Sequence, residues 1–206
     1  MALVKLNNRG VRSATTFGSI TGLGSMIFIK KVTASSSATV SFVDGTSDVV
    51  LDDTYKEYLF TFNNIHPSAA QYFQFNGSDD DSSHSYDVTK TTTVFSAVHK
   101  EDDGEAAVSY KTAANLAQST SAAPLSIQVG TENDGSLSGY LHLFNPSSTT
   151  YVKHFIANVQ HIHGADYCTN SYMAGYFNDT DDITAIQFSM SSGNIDDGDI
   201  CLYGIA

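Results

Sequence analysis

No acidic residue occurs in the first 43 positions of this 206-residue chain, although Lys5, Arg9, Arg12, Lys30 and Lys31 lie there. Residues 44–206 reverse the balance, with all 22 acidic residues against five basic ones. The chain therefore reads as a basic N-terminal arm on an acidic body, an asymmetry typical of an interaction segment. Cysteine is scarce. Cys168 and Cys201 form neither a CxxC pair nor a regular framework, which excludes a zinc ribbon or a disulfide scaffold and predicts two buried thiols. No apolar run approaches the roughly 18 residues of a membrane-spanning helix, and no continuous apolar stretch near the start suggests a secretion signal. The expectation is a soluble protein made without Sec export and with no membrane partner. A pI near 4.6 argues against nucleic acid as a partner, because a phosphate backbone selects basic surfaces.

What the chain does have is aromatic mass. Twelve Phe and eleven Tyr supply large apolar groups for a core. Only 16% of residues are charged, so Ser, Thr, Asn and Gly must provide the rest of the surface. From Met26 onward, short runs rich in Val, Ile, Phe, Tyr and Thr alternate with clusters of Gly, Asp, Asn and Ser. This is the punctuation of strands and turns. Strands are expected near 26–32, 38–43, 55–63, 71–76, 88–99, 107–110, 125–129, 138–144, 151–161, 172–177, 183–190 and 200–205. Tyr58, Phe60 and Phe62 should share one buried strand face, and Ile186, Phe188 and Met190 another. Ten to twelve short strands with three prolines predict an all-β fold, an antiparallel β-sandwich of jelly-roll type. The only tract with helical character is 113–119. Residues 1–25 show no sustained period and are read as an extended arm, with 26–206 as a single sandwich domain.

Sites of chemistry are harder to find. The acidic clusters at 79–81, 101–103, 179–182 and 196–199 have the oxygen chemistry of calcium ligands but not the spacing of a calcium loop, and Asp in such places commonly closes turns. His161 and His163 form an HxH pair that would share one strand face, yet a metal needs a third ligand, so polar strand-end histidines are the expectation. No nucleophile elbow, phosphate-binding loop, HExxH or dinucleotide fingerprint is present. The reading is a non-enzyme without cofactor or metal. Tyr72, Tyr86, Tyr110, Tyr167, Tyr172 and Tyr176 are candidates for a sugar-binding platform, although Tyr is also ordinary strand packing.

Four stretches carry a family likeness: MALVKLNNRGVRS, YLFTFNNIHPSAAQYFQF, GYLHLFNPSSTTYVKHF and AGYFNDTDDITAIQFSMSSGNIDDGDICLYGI. Together they cover much of the chain, and they resemble uncharacterised proteins encoded by tailed phages of marine bacteria. The resemblance implies a virion location and a structural role, as a tail fibre or tail-attached appendage, or as a capsid decoration protein. The partners expected for that role are other virion proteins and further copies in a homo-oligomer such as a trimer, and the alternative task, from the exposed Tyr and acidic loops, is a carbohydrate-binding module for a host-surface glycan. An arm without its own core becomes ordered by lying on a partner. Lys5, Arg9 and Arg12 would meet acidic groups there, while Leu3 and Phe17 fill apolar grooves.

Overall fold

The computed structural model describes residues 25–206. The strands, in chain order, are β1 (Met26–Thr33), β2 (Thr39–Val43), β3 (Glu57–Pro67), β4 (Phe73–Ser78), β5 (Lys90–Lys100), β6 (Ala106–Tyr110), β7 (Ala123–Pro124), β8 (Leu137–Phe144), β9 (Lys153–His163), β10 (Tyr167–Phe177), β11 (Ala185–Met190) and β12 (Ile195–Ile205). All named pairs are antiparallel. They build an eight-stranded sheet, β1-β12-β3-β8-β9-β10-β5-β6, and a four-stranded sheet, β2-β11-β4-β7.

The pairing is nested. β1 pairs with β12, β2 with β11, β3 with β8 and β4 with β7. Such folding-over of a chain into two four-stranded layers, here β1-β12-β3-β8 and β2-β11-β4-β7, is the jelly roll. Two hairpins interrupt it. β5–β6 enters between β4 and β7, β9–β10 enters between β8 and β11, and β10 pairs with β5 to extend the first layer by four strands. Among the described residues the second layer has no matching extension. Val88, Ala114, Leu116, Leu125 and Val129, from the connecting segments, pack into the core instead.

Phe188 on β11 is the hub of that core. Its ring lies 5.2 Å from Phe62, 5.3 Å from Phe60 and 5.8 Å from Phe73, and it also meets Phe42 and Phe75. The alternation expected for Tyr58, Phe60 and Phe62 holds, as does that for Ile186, Phe188 and Met190, and all six are buried. Asn64, with φ of 51°, sits in a register shift of β3 between Phe62 and Ile65 that returns Ile65 to the inner face. In β4, Gly77 leaves room for Phe177, since a Cβ there would lie 2.8 Å from the ring.

Two fully buried lysines flank the same phenylalanine, because Phe177 is the cross-strand neighbour of both Lys90 and Lys153. Each ends on loop carbonyls. Lys90 Nζ donates to Ser121 O at 2.8 Å, and Lys153 Nζ donates to the carbonyls of Asp179 and Asp181. Burial pulls the Lys90 pKa down to about 8, with nearby Asp87 opposing. Both ammoniums thus tie a loop to the sheet.

Local expectations fail in several places. The tract at 113–119 contributes only a three-residue 3-10 turn, Thr112–Ala114, too short to nucleate a helix. Residues 125–129 form no strand, and Leu125 and Val129 cap the extension singly. Cys168 is exposed on β10, whereas Cys201 is buried, and both thiols are free.

Candidate functional site

The outer face of the eight-stranded sheet has nothing packed on it among the described residues. One cross-strand row runs Tyr140, Asn158, Tyr172, Phe95, Tyr110 along β8, β9, β10, β5 and β6. Its four aromatic side chains are exposed. Phe95 and Tyr172 stack with centroids 4.9 Å apart, and Thr93 Oγ1 donates to the Tyr110 hydroxyl at 3.5 Å. A second row carries amides. Gln160 and Asn170 are cross-strand neighbours, and Asn158 Nδ2 donates to Asn170 Oδ1 at 2.5 Å. Ile156 adds another exposed apolar group.

Charge is missing from most of this face. Outward positions of β8, β9, β10, β5 and β6 include no Asp, Glu, Lys or Arg, in a chain of net charge −12. The charges the face does carry lie on β1, β12 and β3. Lys31 pairs with Asp199 at 3.1 Å, and His142 Nε2 approaches Glu57 Oε2 to 3.0 Å without hydrogen-bond alignment. A broad, aromatic, neutral surface on an acidic molecule fits a partner that removes it from water.

The sheet ends at β6, whose only paired neighbour among the described residues is β5. The strand, AAVSY, carries no charge, and Val108 is 73% and Tyr110 59% exposed. Its entry turn is acidic. Glu101, Asp102, Asp103 and Glu105 lie there with Asp166 alongside, where Glu101 N donates to Asp166 O at 3.0 Å. Lys100 pairs with Asp102 at 2.6 Å, and that hydrogen bond lowers the Asp102 pKa and raises that of Lys100. Lys100, Glu101, Asp102 and Asp166 line a cleft of about 310 Å³. At the other end of β6, Tyr72, Tyr110, Lys111, Ala113 and Ile127 line a second cleft of about 170 Å³.

Beneath the extension lies a buried polar cluster. Thr169 is opposite His161, and Ser171 is opposite Ser96, all on the inner face and all buried. Ser96 Oγ, Thr169 Oγ1, Ser171 Oγ and both ring nitrogens of His161 find no hydrogen-bond partner among the described residues. Burial, with a smaller contribution from His163, depresses the His161 pKa to about 3, so the ring is neutral. His163 is also depressed, first by burial and then by Lys111. This corrects the expectation for the HxH pair: His161 is interior, not a polar strand-end residue. The two imidazoles do share a face, but no group of three His, Cys, Asp or Glu side chains among the described residues could hold a metal.

The remaining sequence candidates divide clearly. Tyr110 and Tyr172 stand in the aromatic row, and Tyr176 lies on the same outer face beside His154, at 6.2 Å. Tyr72 lines the cleft near Lys111, Tyr86 lies beside His84, and the Tyr167 hydroxyl donates to Glu105 Oε2 at 2.9 Å. The acidic clusters act largely as turn closures. Asp80 Oδ1 accepts from Ser82 N, Asp102 Oδ1 from Gly104 N, Asp179 Oδ1 from Asp181 N and Asp197 Oδ1 from Gly198 N, each at 2.7–2.9 Å. The anchoring residues Leu3, Lys5, Arg9, Arg12 and Phe17 lie outside the described residues. Phe95, Tyr140 and the amides of Asn158, Gln160 and Asn170 escaped the sequence reading, because the row is assembled from five strands with no local signal.

No known protein family, curated protein or solved structure matches this chain.

Proposed function

We propose that this protein is a non-enzymatic structural subunit of a phage particle, held to the virion by its N-terminal arm and assembled with further copies and other virion proteins. The observation that carries this reading is the neutral aromatic face of the extended sheet. A chain of net charge −12 repels its own copies over most of its surface, and a face without fixed charge is where close approach costs least. The family resemblance supplies the particle, and the basic arm supplies an attachment element for acidic neighbours. Within this role, a tail fibre or tail-attached appendage is preferred to capsid decoration because the opening residues resemble fibre-like proteins. Deleting residues 1–24 tests it. The truncated body should fold and melt like the full chain but fail to enter particles, and unfolding of the truncated body would refute a separable arm.

A second reading rests on the same face. Stacked Phe95 and Tyr172, with Tyr140, Tyr110 and the amides of Asn158, Gln160 and Asn170, combine flat apolar rings with donors and acceptors, the chemistry that receives a sugar ring. A glycan array probed with and without chelator separates it from the structural role. Binding that disappears on replacing Phe95 and Tyr172 would assign the face to a host-surface glycan.

A further inference from the structure

We infer that the edge of β6 left unpaired among the described residues is the acceptor for the N-terminal arm of a second copy of this chain, which adds there as an antiparallel ninth strand. The inference rests on the arm as the attachment element and names what it attaches to. An unpaired edge offers a row of backbone donors and acceptors that proteins ordinarily blunt with lysines, prolines, bulges or shortness. The other edges of the two sheets are managed. β1 carries Lys30, Lys31 and a register shift, and β7 is two residues long. β2 buries Val40 and Phe42, and Lys30 ties its following turn to β1 through Ser47 O at 2.9 Å. β6 has no such protection: it holds neither Lys nor Pro, and Ala106, Ala107, Val108 and Tyr110 are all exposed.

Charge and polarity along β6 match the arm in one direction only. The arm begins with the apolar run Ala2-Leu3-Val4, and its basic residues Lys5, Arg9 and Arg12 follow. β6 begins at the acidic turn of Glu101, Asp102, Asp103 and Glu105 and ends at the cleft lined by Tyr72, Tyr110 and Ile127. Antiparallel addition sets the apolar run at that cleft and carries the basic residues to the acidic turn, where Lys100 is already paired with Asp102 and the cleft's remaining carboxylates, Glu101 and Asp166, receive a cationic side chain. Parallel addition would reverse both matches.

The donor is a second copy because of where the arm leaves the body. The described chain starts at Ser25, whose carbonyl accepts from Ala206 N beside β1, at the opposite edge of the sheet from β6. Seven strand spacings of about 4.8 Å separate the two edges, roughly 34 Å. The residues between Arg12 and Ser25 reach at most about 45 Å when fully extended. Self-insertion would require a taut crossing of the molecule, whereas a neighbour set head to tail brings its β6 beside β1. Repetition of that contact gives a closed ring or an open filament, according to the rotation between neighbours.

Light scattering of the full chain and of cysteine pairs tests this. Wild-type protein should be an oligomer, and Arg9→Glu with Arg12→Glu should reduce its mass to that of one 22.1 kDa chain. Adding Glu101→Arg and Asp166→Arg to that variant should restore the oligomer. In a Cys168→Ser background, mixing a Leu3→Cys protein with a Ser109→Cys protein should give a disulfide-linked heterodimer under mild oxidation. A monomeric wild type, an unchanged mass for the arm variant, or no cross-link between the mixed proteins would overturn the inference. Particle incorporation of the same variants separates this outcome from the broader reading: a monomeric wild type whose incorporation still requires the arm leaves the virion role standing and removes only the β6 acceptor.

Discussion

Phe95 and Tyr172 are cross-strand neighbours on the outer face of the extended sheet, their ring centroids 4.9 Å apart and their planes within 9° of parallel. Neither is needed to fill the core, which lies on the other side of the sheet. A stacked pair at half-exposed positions contributes only about 0.5–1.5 kcal/mol to a fold, so the pair is available for a partner at low cost to the body.

Replacing both by serine should therefore lower the unfolding free energy by no more than about 2 kcal/mol, the stack together with some apolar contact. Incorporation into particles should fall by at least about tenfold if the pair acts as an interface hot spot. Urea melts and quantitative blotting of purified particles read the two effects separately. Unchanged incorporation would remove this face from the assembly surface.

His161 makes stability depend on pH in a definite direction. Its pKa is about 3 in the fold and near 6.5 in the unfolded chain, so the unfolded state binds more protons between those values. Stability is thus fully present above about 6.5 and is lost as pH falls, by up to about 1.4 kcal/mol per unit. His163 acts in the same direction, with less weight because it is partly solvated. Urea midpoints measured from pH 7 to 5 should decline in the wild type and much less in His161→Leu. Parallel declines would mean that His161 is not buried neutral.

Thr169 tests the polar cluster beside it. Its hydroxyl is buried without a partner among the described residues, so valine of the same shape should cost nothing or raise stability by about 1 kcal/mol. Chemical denaturation of Thr169→Val measures this. A loss above about 1 kcal/mol would show that the hydroxyl has a bound partner such as an ordered water.

Phe188→Ala should be the costliest single change in the core, at about 3–5 kcal/mol, because five phenylalanine rings converge on that side chain. A loss below about 2 kcal/mol would indicate that the surrounding rings collapse into the space.

Strand alternation made the layered fold legible, since Tyr58, Phe60 and Phe62, or Ile186, Phe188 and Met190, can bury together only with a period of two. The strand ends were less legible where polar residues are internal. Thr169 and Ser171 disguise the first half of β10, and the acidic run at 196–199 reads as a turn although β12 takes it up through two register shifts. The jelly-roll nesting and its four-strand extension depend on pairings as distant as Met26 with Ile205 and are invisible to local pattern. The candidate face follows the same rule, because Tyr140, Tyr172, Phe95 and Tyr110 come into one row only once five strands are in register. The charge asymmetry, by contrast, is a property of the sequence itself, and the arm it marks lies outside the described residues.

Immunogold electron microscopy of phage particles purified from the source culture, with antibody raised against residues 44–206, tests the central claim most directly. The virion reading predicts label on intact particles, on the tail for a fibre or appendage and over the head for a decoration protein. Intact particles without label, with the protein detected only in the particle-free lysate, would contradict it.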